Sequence, residues 1–376
     1  MRAPGRILIL WNLVEDDEYE RLRAAGPQKL EWDPSRNVSD VATIAEELDQ
    51  MASALATAGH AVEIVNIKDD LELLLATIAR FEPDAVMNLV EQFGDDPAHE
   101  FHVAGLYELL GVPYTGARPS SLALCQRKPR TKAVLRASGL PTAPFFVVSG
   151  RVGDDRAPHA HRLRFPVIVK PALADASIGI ELDSVVRDQA ALEERVAHVL
   201  REHKMPVLVE EFIDGREIHC ALIASSSSGR EPPNPLPLFE MEFEERLGPD
   251  GAPLPKIITY GAKWDPTSKD FYSMDGRCPA EDLEPEVVAH IQDVAVRAWQ
   301  AVGCRDYARI DMRLDGATGE PFILDVNPNP DLADGGAFMQ CAVASGRTFA
   351  GTLDEIVGFA LERGRGRPRR RVPRLA

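Results

Sequence analysis

The segment YARIDMRLDGATGEPFILDVNPNPD, Tyr307 to Asp331, carries the most informative pattern in this chain of 376 residues. Its two apolar stretches, 307–314 and 321–326, flank an Asp/Gly-rich turn and predict two strands joined as a β-hairpin. Because side chains alternate between the faces of a strand, the first strand is predicted to have an apolar face and a polar face. These faces carry Ile310, Met312 and Leu314, and Arg309, Asp311 and Arg313, respectively.

The polar face of this hairpin is predicted to gather oxygen ligands. Asp325 and Asn327 share one face of the second strand, so they and Asp311 are presented together, with Arg309 beside them. Mg²⁺ prefers such hard oxygen ligands, and it usually bridges one or two carboxylates to nucleotide phosphates. Arg309 is suited to stabilising an anion. The alternative is a polar, solvent-facing edge hairpin, since acids are common in Asp-Gly turns.

Composition narrows the class of protein. The formal net charge is -17, and the segment from Arg363 to Ala376 holds seven arginines and no acid, so the remainder sums to -17 - 7 = -24. An acidic body repels nucleic-acid phosphate, which argues against a nucleic-acid-binding protein. No apolar run reaches the roughly 18 residues that span a bilayer. The five cysteines are widely spaced without a CxxC, which favours a reducing cytoplasm over a disulfide or zinc framework.

Strands and helices alternate in the first third of the chain, which predicts a parallel sheet with helices on both faces. The predicted strands are Arg6–Trp11, Ala61–Ile67 and Asp84–Val90, and the predicted helices are Val38–Ala58, Leu71–Phe81 and Glu100–Leu110. Further along, we predict helices at Thr131–Ser138 and Glu286–Val302, a strand at Phe165–Pro171, a strand–turn–strand unit at Met205–Ile223, and a hairpin tip at Ser225–Pro237.

Other polar residues of this middle region allow two interpretations each. Lys170 ends an apolar strand before a small-residue loop, which suits phosphate neutralisation, but a surface lysine with an apolar stem is an equal alternative. Glu210, Glu211 and Glu217 leave apolar strands, where acids accept bonds from adenine or ribose or remain solvated. Lys263, in YGAKW, is ambiguous alone. The sequence has neither a GxxxxGK[ST] P-loop nor a GxGxxG after the first strand.

Taken in order, the motifs resemble the ATP-grasp superfamily, and within it the D-alanine–D-alanine ligase-like branch. They run from GVPYTG (Gly111–Gly116) and a lysine-bearing helix start through VIVKP, EEFIDGREI, YGAKW and CPAEDL to RIDMRLD…FILDVNPNPD, and cover about Pro83 to Leu361. The resemblance implies an α/β and α+β chain with an ATP-grasp fold. It has an N-terminal Rossmann-like preATP-grasp α/β domain (1–118), a central ATP-grasp subdomain (119–206), a C-terminal ATP-grasp subdomain with the metal and substrate site (207–362), and a basic disordered tail (363–376).

The resemblance also assigns roles by position. It implies phosphate contacts by Lys128, Lys170 and Lys263, adenine contacts by Glu210, Glu211 and Ile213, and a ribose contact by Glu217. The implied magnesium ligands are Asp311, Asp325 and Asn327, with Mn²⁺ as the alternative ion, and the implied catalytic residues are Arg309 and Lys263. Residues 172–179 would form a flap over the phosphates.

The implied reaction is ATP-dependent ligation of a small carboxylate to an amine, both expected to be amino acids. The carboxylate becomes an acyl phosphate, which the amine then attacks to form a peptide bond. Most of the catalysis is then positioning and charge neutralisation. The resemblance further implies a possible homodimer.

Several positions depart from the family pattern, and most of them lie in the regions expected to contact substrate. The segment 88–100 lacks the family's His-Gly and Gly-Glu-Asp-Gly run, Arg127 replaces the aspartate before Lys128, and Asp331-Leu332 replaces Gly-Met. Asp325 replaces a glutamate, and Asn37 occupies the approximate place of an amino-group-binding glutamate. Candidate substrate contacts are Asn88, Glu91, Asn329 and Asp331, with loop capping as the alternative.

Two alternatives to a ligase of changed specificity stay open on the sequence. One is a true D-alanine–D-alanine ligase of cell-wall synthesis. The other is a catalytically silent ATP-binding regulatory protein, which the altered N-terminal region and the arginine tail suggest. The retained Arg309, Asp311, Asp325 and Asn327 argue against the silent protein.

Overall fold

The structure is a computed structural model that describes residues 4–14, 18–24, 26, 29–30, 32–33, 35, 42–150, 162–249 and 251–365. Within these residues the strands form three sheets. One sheet is parallel and the other two are antiparallel. Within the same residues, none of the helices combines the length and the apolar character that crossing a membrane requires.

The first sheet is parallel, with strand order β2-β1-β3. Its elements are β1 (Arg6–Trp11), α1 (Glu18–Ala24), α2 (Ile44–Thr57), β2 (Ala61–Asn66), α3 (Leu71–Phe81), β3 (Ala85–Leu89) and α4 (Glu100–Leu110). The predicted alternation of strands and helices is confirmed. Helix α2 begins at Ile44 because Thr43 and Glu46 form a reciprocal capping box. Residues 38–41, where the predicted helix began, lie outside the described part.

The second sheet is antiparallel, with strand order β4-β7-β5-β6. The chain reaches it through α5 (Pro119–Cys125) and α6 (Lys128–Ala137), and then forms β4 (Phe145–Val148), β5 (Val167–Pro171), β6 (Val185–Val186), α7 (Gln189–His203) and β7 (Val207–Glu211). Val167, Val169 and Val209 form its apolar face, against Val196 and Val199 of α7. The opposite face carries Lys170 and Glu210 together with Ile168 and Leu208.

The predicted boundary at 206/207 assigns β7 to the C-terminal subdomain, but this strand belongs to the sheet of the central subdomain. It pairs with β4 and β5, and the strand that follows it belongs to the third sheet, so the sheets separate at residues 212–214. The two consecutive strands therefore do not form a hairpin. Both are apolar runs around an Asp-Gly turn, and local sequence does not specify which partner each strand takes.

The third sheet has six antiparallel strands. Its main order is β11-β10-β8-β12-β13, and β9 pairs with β8. Its elements are β8 (Gly215–Ile223), β9 (Asn234–Pro235), β10 (Phe239–Phe243), α8 (Tyr260–Trp264), β11 (Met274–Arg277), α9 (Pro285–Val302), β12 (Tyr307–Asp315) and β13 (Pro321–Asn327). The strands β10 and β11 were not predicted. Helix α9 covers the apolar face of this sheet with Ile291, Val294 and Ala298.

Two final helices, α10 (Ala337–Ala344) and α11 (Phe349–Gly364), join the first and third sheets. Ile356 and Phe359 of α11 belong to the same apolar core as Ile9 and Met87 of the N-terminal sheet. The predicted tail began at residue 363, but Arg363 is still helical. Its guanidinium bonds both carboxylate oxygens of the buried Asp306, at 2.5 and 2.7 Å. Residues 366–376 lie outside the described part.

Candidate active site

The strands β12 and β13 present the polar side chains that the sequence predicted for one face. Asp311 pairs with Asp325 across the two strands, and Arg309 pairs with Asn327. Residues directly opposite on antiparallel strands share a face, so this part of the prediction is confirmed. Ile310 and Met312 are fully buried on the other face.

Asp311 is the centre of the hydrogen bonds on this face. Arg309 donates to both of its carboxylate oxygens, at 2.7 and 2.8 Å, and Asn327 Nδ2 donates to Oδ2 at 2.8 Å. Burial acts to raise the pKa of Asp311, but the charges of Arg309 and His219 and these bonds outweigh it, so the pKa falls to about 2. Asp311 is therefore ionised at neutral pH.

Lys128, the first residue of α6, connects this face to the loop that follows β5. Its Nζ donates to Asp175 Oδ1 at 2.6 Å and also bonds Asp325 Oδ2. Burial acts to lower the pKa of Lys128, but the charges of Asp325 and Asp175 outweigh it and raise the pKa. The lysine remains charged although only 7% of it is exposed.

A second charged group lies on the polar side of the second sheet. Glu210, on β7, is buried between two lysines, with Lys132 Nζ at 2.7 Å and Lys170 Nζ in closer contact. Burial acts to raise the pKa of Glu210, and the charges of both lysines overcome it, so the pKa falls to about 2. Lys170 therefore lies at the predicted strand end, paired with Glu210.

The next acids of the segment have separate partners. The Glu211 amide donates to the Pro144 carbonyl at 3.0 Å, and its carboxylate accepts from Arg164 at 2.9 Å. Ile213 is buried in the connection after β7. Glu217, on β8, accepts from Arg313 at 2.8 Å. Burial raises the pKa of Glu217, but the charge of Arg313 outweighs this and lowers it.

The helix that carries Lys263 contacts the predicted flap, residues 172–179. Trp264 Nε1 donates to the Ala176 carbonyl at 2.8 Å, and the Tyr260 amide donates to the Ile180 carbonyl at 2.9 Å. Loss of hydration in the cleft and the nearby charge of Arg309 lower the pKa of Lys263. The structure therefore brings the flap, Lys263 and Arg309 to one cleft.

The four candidate substrate contacts divide into two pairs. Asn88 is 2% exposed and accepts from Tyr107 at 3.2 Å, while Asn329 accepts from the Ala117 amide at 2.8 Å. Both side-chain oxygens are therefore engaged within the protein, Asn88 inside the buried strand β3 and Asn329 at the loop before α5. Glu91 and Asp331 are exposed, and Asp331 Oδ1 also accepts from the Ala333 amide at 2.9 Å, as loop capping predicts. Asn37 lies outside the described residues.

Sequence reasoning missed several polar residues at this site. Lys132 follows Lys128 by one helical turn, and His219 follows Glu217 by two strand positions, so both spacings were available as signals. Asp175 and Glu100 have no local signal, because a loop and a distant helix bring them to the cleft. Glu100 accepts from Gln126 at 2.8 Å and from Asn329 at 3.3 Å.

The donor set suits a magnesium ion that arrives with a nucleotide. Asp311, Asp325 and Asn327 offer two carboxylates and an amide oxygen, whereas Mg²⁺ normally completes its ligands with phosphates and water. Within the described residues, no three His, Cys, Asp or Glu side chains gather into a metal site of their own. Charges of both signs thus lie where the second and third sheets meet.

This fold defines an ATP-grasp protein. The model of a family described as "D-ala D-ala ligase C-terminus" matches residues 134–358. The chain belongs to this D-alanine–D-alanine ligase family and is an ATP-dependent ligase that forms C–N bonds.

Relatives match over most of the chain. An uncharacterised protein of Sinorhizobium fredii (y4sG) is 35% identical over 324 residues, 84% of this chain and 87% of that protein. A D-alanine–D-alanine ligase of Desulforudis audaxviator is 30% identical over 83% of this chain and 92% of its own length.

Solved structures share the fold. A D-alanine–D-alanine ligase from Bacillus anthracis, complexed with ATP, has a TM-score of 0.68 at 19% identity, covering 96% of this chain and 98% of that one. The VanG D-Ala:D-Ser ligase from Enterococcus faecalis has a TM-score of 0.66 at 18% identity, covering 95% and 100%. These two likenesses concern the fold alone.

Proposed function

We propose that the protein joins the carboxylate of one small amino acid to the amine of another, through an acyl phosphate made from ATP. The arrangement of Arg309, Asp311, Asp325 and Asn327 on one face, beside Lys128, carries this proposal. A scaffold that only bound nucleotide would not need an arginine and two carboxylates held together at the end of a cleft.

The nucleotide is proposed to lie between the second and third sheets. Lys128, Lys170 and Lys263 neutralise its phosphates. Glu210, Glu211 and Ile213 contact adenine, the last two mainly through their backbone, and Glu217 contacts ribose. The fixed ion pairs of Glu210 and Glu217 support these assignments, because preorganised groups lose little freedom when the ligand binds.

Asp311, Asp325 and Asn327 would hold Mg²⁺, or Mn²⁺ in its place, against the phosphates. The ion would supply charge neutralisation for phosphoryl transfer. Asp311 is ionised and oriented by Arg309 before any ligand arrives. Asp325 now contacts Lys128, so this lysine and the ion would share its carboxylate.

The reaction proceeds in two displacements. A substrate carboxylate oxygen attacks the γ-phosphorus of ATP and the bond to ADP breaks, which gives an acyl phosphate. The amine nitrogen then attacks the acyl carbon, phosphate leaves, and the nitrogen gives up a proton to solvent. Arg309 is proposed to stabilise the oxyanion at the acyl carbon, and Lys263 the departing phosphate.

Glu91 and Asp331 are proposed to contact the amino-acid substrates, since their exposed carboxylates suit ammonium groups. The Desulforudis relative favours D-alanine as one substrate. The absence of the family's His-Gly run at 88–100 favours a different partner amino acid. We therefore propose a dipeptide ligase whose pair of substrates differs from two D-alanines.

Phosphate release from ATP, in a panel of single amino acids and pairs, tests this function. We expect release to require one or two particular amino acids, with a product whose mass is their sum minus one water. Turnover with D-alanine alone would instead identify a D-alanine–D-alanine ligase. ATP binding without phosphate release on any pair would support a silent protein.

Two further expectations concern the whole molecule. All five cysteines are free and at most partly exposed, which supports a cytoplasmic location. Family membership supports a homodimer. Light scattering tests the assembly, with twice the 41.3 kDa of one chain as the expected mass.

A further inference from the structure

We propose that His219 is a positioning residue of the nucleotide site, which holds Glu217 in the orientation that accepts a ribose hydroxyl. This inference rests on the proposed function, because the ribose contact of Glu217 is part of it. His219 is one strand alternation from Glu217 on β8, and it lies opposite Asp311 of β12. It therefore stands between the proposed ribose site and the proposed metal site.

The ring of His219 is fixed on both sides. It is 4% exposed and stacks on Phe239, with 5.5 Å between ring centroids and 17° between ring planes. Phe239 is its direct partner on β10. In this orientation Nε2 lies 3.3 Å from Glu217 Oε1 and Nδ1 lies 3.9 Å from Asp311 Oδ1. Since an ionised carboxylate only accepts, Nε2 carries the proton of this bond.

Glu217 is thus held at both carboxylate oxygens. Arg313 donates to Oε2, and His219 donates to Oε1. Arg313 is itself anchored by the carbonyl oxygens of Gly215 and Lys256. Removing the histidine donor would free one oxygen and let the carboxylate rotate about its last bond.

The hydrogen bond from His219 to Glu217 carries a cost for folding. The Nδ1 of this histidine is buried and has no hydrogen-bond partner within the described residues, and a buried polar atom without a partner is destabilising. An apolar side chain would stack on Phe239 without that penalty. The presence of a histidine is explained by the proposed nucleotide site, where its Nε2 holds the carboxylate of Glu217.

Nucleotide binding by calorimetry tests this inference without turnover, with ATP, 2′-deoxyATP and 3′-deoxyATP in MgCl₂ as titrants. The side-chain amide of glutamine can occupy the position of Nε2, whereas that of asparagine reaches only the position of Nδ1. We expect H219N to weaken ATP binding by about three- to tenfold and to reduce the preference for ATP over the deoxynucleotides, as loss of one hydrogen bond predicts. H219Q should retain both.

His290 provides a matched control, because its Nε2 also lies 3.3 Å from a glutamate, Glu320, but on the exposed face of α9. H290N should bind all three nucleotides as the unaltered protein does. An unchanged preference in H219N, or equal losses in H219N and H219Q, would overturn the inference. If the unaltered protein binds no ATP, the proposed function fails instead.

A second variant keeps the inference testable if H219N does not fold. E217Q retains His219 but replaces the carboxylate that it holds, so the ribose preference should fall as in H219N. A fully retained preference in folded E217Q would show that Glu217 does not contact ribose, and the role of His219 would fall with it.

Discussion

Lys128 Nζ donates a 2.6 Å hydrogen bond to Asp175 Oδ1, which ties the first turn of α6 to the loop over the cleft. The same nitrogen bonds Asp325 of β13. If Lys128 contacts a nucleotide phosphate, Asp175 competes with that phosphate for it. The loop carboxylate therefore opposes ATP binding until the phosphate displaces it.

Removing this competitor is expected to strengthen ATP binding. Asp175 is half-exposed and its ion pair is of modest strength, so D175A should lower the dissociation constant for ATP by about two- to fivefold. D183A is the control, because Asp183 is an exposed acid that pairs with Arg195 at 2.8 Å. Weaker ATP binding in D175A than in D183A would show that Asp175 assists the nucleotide.

Substitution of Asp325 distinguishes a ligase from a protein that only binds a nucleotide. D325N keeps the shape of the side chain but removes the charge proposed to hold magnesium, so amino-acid-dependent phosphate release should fall about 100- to 1000-fold. The fold should remain intact, as thermal unfolding would show. D293N, at an exposed site on α9, should retain full activity. Unchanged phosphate release in D325N would remove Asp325 from the mechanism.

The buried pair of Lys132 and Glu210 is expected to affect stability. Lys132 Nζ also donates to Thr142 Oγ1 at 2.8 Å, and breaking a buried ion pair typically lowers the free energy of unfolding by about 3 to 5 kcal/mol. K132M should show this loss in urea unfolding at pH 7, whereas K269M, at an exposed lysine, should not. Equal stability of the two variants would contradict the role of the pair.

The lowered pKa of Glu210 makes the contribution of this pair to the free energy of unfolding depend on pH. The folded protein holds it at about 2, below the ordinary 4.5, so its contribution is present above pH 4.5 and is lost as the pH falls toward 2. In E210Q the decline in the free energy of unfolding over this interval should be smaller than in the unaltered protein. An identical decline would show that Glu210 titrates normally.

The contribution of Glu100 to the free energy of unfolding has the opposite dependence on pH. Burial and then the charge of Glu91 raise its pKa to about 8, so the folded protein retains a proton that the unfolded chain releases near pH 4.5. The free energy of unfolding should therefore fall as the pH rises from 4.5 through 8. E100Q should show a smaller fall, and E72Q, on the exposed face of α3, should match the unaltered protein. A fall of unchanged size between pH 4.5 and 8 in E100Q would assign the titration to another group.

The hairpin of β12 and β13 was predictable because strand alternation is a local property. The positions of Asp311, Asp325 and Asn327 follow from counting residues along two strands. The sheet that contains β7 was not predictable in this way. Its pairing with β4 and β5 depends on contacts distant in sequence, and nothing in the residues of β7 separates them from those of β8.

The candidate substrate contacts were likewise not predictable from local sequence. Asn88 and Asn329 have the chemistry of ligand contacts, yet Tyr107 and the amide of Ala117 occupy them. Conversely, Asp175 lies in the loop 172–179, where the resemblance implies a flap but no local pattern singles out this residue. These contacts form only when segments distant in sequence pack together, so neither segment alone predicts them.

The transfer of ¹⁸O from a substrate carboxylate to phosphate would reveal the acyl phosphate that the proposed reaction requires. The amino acid found in the substrate panel is labelled in its carboxylate, and the released phosphate and dipeptide are weighed by mass spectrometry. An acyl-phosphate ligase places one ¹⁸O in inorganic phosphate and leaves one in the peptide carbonyl. Label recovered in AMP, or phosphate oxygen derived only from water, would contradict this account of the reaction.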